Sequence, residues 1–235
     1  MPPRQRYAQA VSRGLSNYKI GLGLTATSLI MSTVLIAVLI WQFMQKKYVP
    51  APYWASVVLI SIVGTLITDN MVDNFHIPLA ATAIFFAIAL AGTFLLWFQK
   101  EKTLSILSVF TNRREAFYWL AILFTFALGT AAGDLVAERF ALGYLAAGIL
   151  FGMIIASLSM GYFFLKLDPI LGFWLVYILT RPLGASFGDL LSQPKQYGGL
   201  GLGTIMTSAL FLTAIVGIVI YMSFRREDEE SVDVA

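Results

Sequence analysis

Three aspartates stand at one spacing in this chain. Counted from Trp54, Trp119 and Trp174, position +10 is Gly64, Gly129 and Gly184, and position +15 is Asp69, Asp134 and Asp189. Each acid sits near the end of an apolar run of membrane length. A carboxylate at bilayer depth costs at least ~2.5 kcal/mol, so it turns toward an interior or a water-filled cavity and points to a cation or proton site. Asp73, Glu138 and Gln193 come one turn later, at position +19. An all-oxygen set of this kind selects hard cations such as Mg2+, Mn2+ or Ca2+. Without a metal, the same clustered carboxylates would carry protons. The competing reading is that the acids merely end their helices and pack or cap there. Their depth near the helix exit favours that reading, whereas the negative end of the helix dipole disfavours it.

Arg181 and Pro182 occur in the last copy alone. Proline removes a backbone donor and predicts a kink near the Gly184 and Gly188 face. Arg181 lies two turns before Asp189, where it would serve as counter-ion or as competitor for a bound cation. Its alternative is a salt bridge that locks two helices.

The elements that carry these residues are membrane helices. Hydrophobic residues make up 58% of the 235 and charged residues 12%, with a mean hydropathy of +0.78, whereas a soluble domain carries about 25% charged residues. Seven runs near 21–45, 52–74, 77–98, 115–137, 142–165, 169–192 and 201–223 reach the length of a span, which is roughly 20 residues. The expected fold is therefore an all-α polytopic helix bundle. Its organisation is a basic tail over 1–20, one transmembrane domain over 21–224 and a charged, unstructured tail over 225–235. The run after the basic tail is too long for a signal peptide and has no cleavage site, so it reads as a retained helix.

The repeat is gapless across "YWASVVLISIVGTLITDNMVD", "YWLAILFTFALGTAAGDLVAE" and "FWLVYILTRPLGASFGDLLSQ". Each motif helix is followed by a partner helix, giving units near 53–98, 118–165 and 173–223. Alternate spans run in one direction, so the repeats are parallel, about an axis along the membrane normal. Gly64, Gly129, Gly184, Gly133 and Gly188 share a face with the acids and predict close helix packing. "GLGLTATS" at 21–28 is partly echoed by "GLGTIMTS" at 201–208.

Lys46, Lys47, Lys100, Lys102, Arg113, Arg114, Lys166, Arg225 and Arg226 gather on one side, with Arg139 and Lys195 opposite. The first side is expected to be cytoplasmic. The five tryptophans fall there too and read as an interfacial belt. The basic N-terminal tail conflicts, because seven spans place it outside.

Several function classes drop out. Cysteine is absent and His76 is the single histidine, so thiolate and multi-histidine metal sites are excluded. His76 reads as a turn residue. "GGLGLGT" at 198–204 lacks the Lys-Ser/Thr of a phosphate loop. No hydrolytic triad can be assembled, so the chain is not read as an enzyme, and a net charge of +3 without a basic stripe gives no reason to expect nucleic acid. The expected partners are the lipid bilayer, a small cation and, through exposed small-residue faces, further copies in a homo-oligomer.

At "VVLISIVGTLITDN", "RREAFYWLAILFTFALGTAAGDLVAE" and "YILTRPLGASFGDLLSQP", the chain resembles a bacterial family of integral membrane proteins defined by a repeat of unknown function. The resemblance spans about residues 21–224 and implies an inner-membrane location and the repeat architecture, but no substrate. Relatives begin with a further motif helix, and "MPPRQRYAQAVSRGLSNYK" occupies that place here. That departure leaves a four-acid ring open to question. Two readings of function remain: a small secondary transporter or cation-handling protein, or a membrane scaffold or sensor in which these residues only pack.

Overall fold

Apolar segments can cross lipid only with their backbone bonds closed internally, and for these lengths that means helix. The computed structural model describes residues 23–45, 48–106, 111–139 and 142–232. Within them seven helices are long and apolar enough to span a membrane, and no strand occurs. They are α1 Gly23–Phe43, α2 Pro50–Asp69, α3 Leu79–Glu101, α4 Asn112–Asp134, α5 Gly143–Leu165, α6 Pro169–Ser192 and α7 Thr204–Val232. The chain is a multi-pass membrane protein of parallel two-helix repeats. The N-terminal residues 1–20, Lys46, Lys47 and the side chains of Glu138 and Arg139 lie outside the described residues.

Local chemistry sets the boundaries. Pro50 and Pro169 open α2 and α6 in the first turn, where a missing N–H is harmless. The carboxylate of Asp168 accepts from the Leu171 amide at 2.9 Å, and the Thr111 hydroxyl accepts from the Arg114 amide at 3.3 Å. The acidic stretch after Phe224 continues α7 to Val232 instead of forming an unstructured tail. Glutamate and arginine are strong helix formers, so the last helix need not stop where the apolar residues do.

Packing obeys the repeat. Partner helix α1 packs on α2, α3 on α4 and α5 on α6, while α2, α4 and α6 form a row with α4 at its centre. The result is visible in burial: 50% of the spanning window of α4 is buried, against 6% for α1 and for α7. Among the described residues the last partner helix, α7, makes only light contacts, with α6 and α2.

The tryptophan belt needs correction. Trp97, Trp119 and Trp174 are 0%, 4% and 4% exposed and form the main core cluster, whereas Trp41 faces outward at 49%. Indole is large and apolar and gains from burial, most cheaply where its N–H finds a partner, whereas the buried N–H of Trp97 has none among the described residues. Trp119 donates to Glu115 at 3.1 Å and Trp174 to the carbonyl of Leu104 at 2.9 Å. Nearby, Glu101 ties Arg113 and Arg114 at the same end of the bundle.

Orientation can be tested with single cysteines, since the chain has none. Lys102 and Gln196 are both exposed and lie at opposite ends of the bundle. A membrane-impermeant thiol reagent on intact cells is expected to label Gln196→Cys and spare Lys102→Cys, in line with the excess of basic residues on the tryptophan side. The reverse pattern would invert the topology.

Candidate functional site: a layered cavity between the motif helices

Equal registers of the three motif helices face each other. The Tyr53 and Tyr118 hydroxyls, one residue before their tryptophans, meet at 2.6 Å, and Thr65 and Thr130, both at position +11, meet at 3.2 Å. Such pairs require parallel helices in register.

Glycine sets the approach. A Cβ on Gly64 would stand 2.8 Å from Cβ of Phe126, and one on Gly129 would fall on Cβ of Arg181. In both cases position +10 of one motif helix receives position +7 of the next. Gly133 repeats the contact lower down, against Pro182 and Ala185. Thr68 seals the first junction by donating to the Ala127 carbonyl of α4 at 3.1 Å. Pro182 is buried at the second, inside a helix that continues through it.

Gly184 and Gly188 behave differently. The sequence placed them in helix packing, yet a Cβ at either would meet nothing described within 4 Å. Their face corresponds by register to the one that receives a motif helix at Gly64 and Gly129, but among the described residues no helix packs there. What occupies the space is a cavity of about 590 Å3, bounded by α2, α4, α6 and the loosely packed α7.

Its wall is built in layers. Ser61, Phe126 and Arg181 come from position +7, Thr65, Thr130 and Ala185 from +11, and Asp69, Asp134 and Asp189 from +15. With a rise of 1.5 Å per residue, the layers are ~6 Å apart along the helices. Thr204, Thr207 and Ser208 of α7 complete the wall. In α1 the equivalent of that last serine, Ser28, instead receives a hydrogen bond at 2.6 Å from Asn70, the residue after α2. One sequence motif thus docks on a motif helix in one place and lines the cavity in the other.

The acid layer has a device that periodicity could not show. Helices α2 and α4 pass into single π-helical turns, Asn70–Asn74 and Leu135–Arg139, immediately after Asp69 and Asp134. A π turn inserts a residue and re-aims the side chains beyond it, and such turns gather at functional sites. Asp73 lies in the first of them, is exposed, and with Asp189 is near enough for its charge to act on Asp69. Helix α6 has no such turn. Its C-terminus is closed by the glycine-rich loop, whose Leu200, Leu202 and Gly203 amides donate to the Leu190, Leu191 and Ser192 carbonyls. The positive φ of Gly198, Gly201 and Gly203 makes that return possible. Gln193 leaves the helix in extended conformation there, so position +19 does not repeat on α6.

Among the described residues no three His, Cys, Asp or Glu side chains are grouped to hold a metal ion. Asp69, Asp134 and Asp189 share a cavity wall but do not form a chelate there. His76 is exposed, beside the carbonyl of Asn74.

At the other end Arg181 is held between aromatic rings, with Cζ 3.1 Å from the centroid of Phe126, and it donates from Nη2 to the Tyr177 hydroxyl at 2.9 Å. Tyr53 and Tyr118 at position −1 and Tyr177 at +3 lie on the tryptophan side of Arg181 and do not line the cavity. These tyrosines and the α7 hydroxyls escaped sequence reasoning. The repeated tyrosine before Trp54 and Trp119 was the available signal.

The family model described as Repeat of Unknown Function (DUF347) matches residues 52–103, 117–167 and 172–228, more than half of the chain. The chain belongs to this repeat family. Each match covers one motif helix with the partner after it, α2 with α3, α4 with α5 and α6 with α7. The repeat of the family is therefore the two-helix unit, and the layered cavity lies where three such units meet. No curated protein and no solved structure matches the chain.

Proposed function

We propose that this chain is a small secondary transporter of the bacterial inner membrane, with the layered cavity as its solute path and the three aspartates as the site of its coupling cation. The observation that carries this reading is the convergence of Asp69, Asp134 and Asp189, one from each repeat, on the wall of a single cavity of about 590 Å3 between helices of membrane-spanning length. A scaffold has no need of acids there, since apolar residues would pack the same helices at lower cost. Acidic side chains on a low-dielectric wall concentrate cations. Because they do not chelate, protons or a cation that keeps part of its hydration suit the site better than a tightly ligated divalent ion.

The cavity reaches Ser192 and Thr204 at the aspartate end, and stops at the tryptophan end against Phe126 and Arg181, with the tyrosines beyond them. On this reading the solute enters from the aspartate end. Passage requires the Tyr53–Tyr118 and Arg181–Tyr177 bonds to part while the site closes behind the solute.

The test is flux in sealed vesicles. Wild-type protein is expected to move protons or a monovalent cation down an imposed gradient, and Asp69→Asn, Asp134→Asn and Asp189→Asn are each expected to slow that flux about tenfold or more. Asn preserves shape while removing charge. No flux by the wild type with any cation or pH gradient, together with variants that melt at or above the wild-type temperature, would establish the scaffold instead.

A further inference from the structure

We propose that Arg181 binds the oxyanion group, a carboxylate or phosphate, of a small solute, so that the transported species is an anion accompanied by the cations or protons that the aspartates take. The inference rests on the transporter reading and adds its substrate class.

Arg181 is the basic residue in the middle of a spanning helix, where a permanent charge is expensive and normally functional. Position +7 carries serine in the first unit and phenylalanine in the second, so the charge is not part of the repeat scaffold. Its plane is fixed by Phe126 beneath it, and Tyr177, itself stacked on Phe173, takes one Nη2 hydrogen. The Nε atom is buried and has no hydrogen-bond partner among the described residues. A guanidinium presents more donors than one hydroxyl can satisfy, in a fork that matches a carboxylate or a phosphate. Arg181 lines the cavity and its guanidinium is held flat, with the unpartnered Nε just behind the wall, so an oxyanion entering the cavity supplies the missing acceptor once the side chain turns outward.

The layers also predict coupling. Arg181 and Asp189 are separated by eight residues on one helix, ~12 Å along the axis. An anion at the first is repelled by ionised carboxylates at the second. At that distance and an effective dielectric of about 20, neutralising one carboxylate raises anion affinity about tenfold. Linkage makes the effect reciprocal, so cation and anion help each other to bind.

The experiment measures melting temperature and tryptophan fluorescence of the purified chain in nanodiscs at fixed ionic strength, titrated with succinate, with inorganic phosphate and with tetramethylammonium as the cationic control. Succinate or phosphate, whichever identifies the oxyanion, is expected to stabilise the wild type. That affinity should fall at least tenfold in Arg181→Gln, recover in part in Arg181→Lys and rise about tenfold in Asp189→Asn. Tyr177→Phe, which frees one more donor without removing charge, provides a second variant should Arg181→Gln not fold, and its anion affinity should shift several-fold. No stabilisation by either anion, or equal affinity in wild type and Arg181→Gln or Tyr177→Phe, would overturn the inference. Aspartate-dependent cation flux without any anion response would end this inference and leave the transporter intact; anion binding that Arg181→Gln abolishes, without flux, would keep the oxyanion site and end both the transporter reading and the claim that the anion is carried.

Discussion

Gly129→Leu is expected to abolish the folded protein, while Gly184→Leu, the same change at the same repeat position, is expected to leave it folded. At Gly129 the added Cβ alone falls on Cβ of Arg181, an atom fixed to the backbone of α6, so the α4–α6 junction must open before the rest of the side chain is placed. Overpacking a close contact costs about 1–3 kcal/mol and more where backbones must separate. Helix α4 is the most buried of the seven, so little else would hold the bundle while it relaxed. At Gly184 nothing described lies within 4 Å, and replacing glycine in a helix interior gains up to ~1 kcal/mol. Gly184→Ala should therefore melt at or above the wild-type temperature and Gly129→Ala clearly below it. Thermal melts of the four purified variants check the pattern. Equal tolerance at both positions would show that α4 and α6 do not meet through Gly129.

The second large effect concerns the path itself. In this cysteine-free chain, Gly184→Cys is expected to react with a charged, membrane-impermeant methanethiosulfonate and to lose nearly all flux, because the adduct stands between the Arg181 and aspartate layers of the cavity. Gln196→Cys, exposed in the loop after α6, should react equally and keep its flux. Anionic reagent should modify position 184 faster when Asp189 is Asn, since the acid layer guards the approach. Mass spectrometry gives the extent of modification and vesicle flux its consequence. Full modification at 184 with undiminished flux would remove this cavity from the transport path.

Much of this architecture is legible in the sequence. Span length, the gapless spacing of tryptophan, glycine and aspartate, and the parallel sense of the repeats come from one-dimensional facts: a bilayer of fixed thickness, a fixed rise per residue and a helical period that keeps +7, +11 and +15 on one side. Those facts suffice to put Asp69, Asp134 and Asp189 at one depth and to name Gly64 and Gly129 as contacts. They cannot separate Gly129 from Gly184, because identical positions in identical motifs differ only in whether a neighbouring helix arrives. Nor can they distinguish a tryptophan in the interface from one in the core, since both sit at the same height and differ in what lies beside them, as Trp41 and Trp119 do. The π turns after Asp69 and Asp134, the aromatic clamp on Arg181 and the use of Thr207 and Ser208 as cavity wall belong to the same class. Periodicity determines which residues share a face of a helix, but which face meets a helix and which meets a cavity is decided by lateral packing among all seven, and no single segment contains that information.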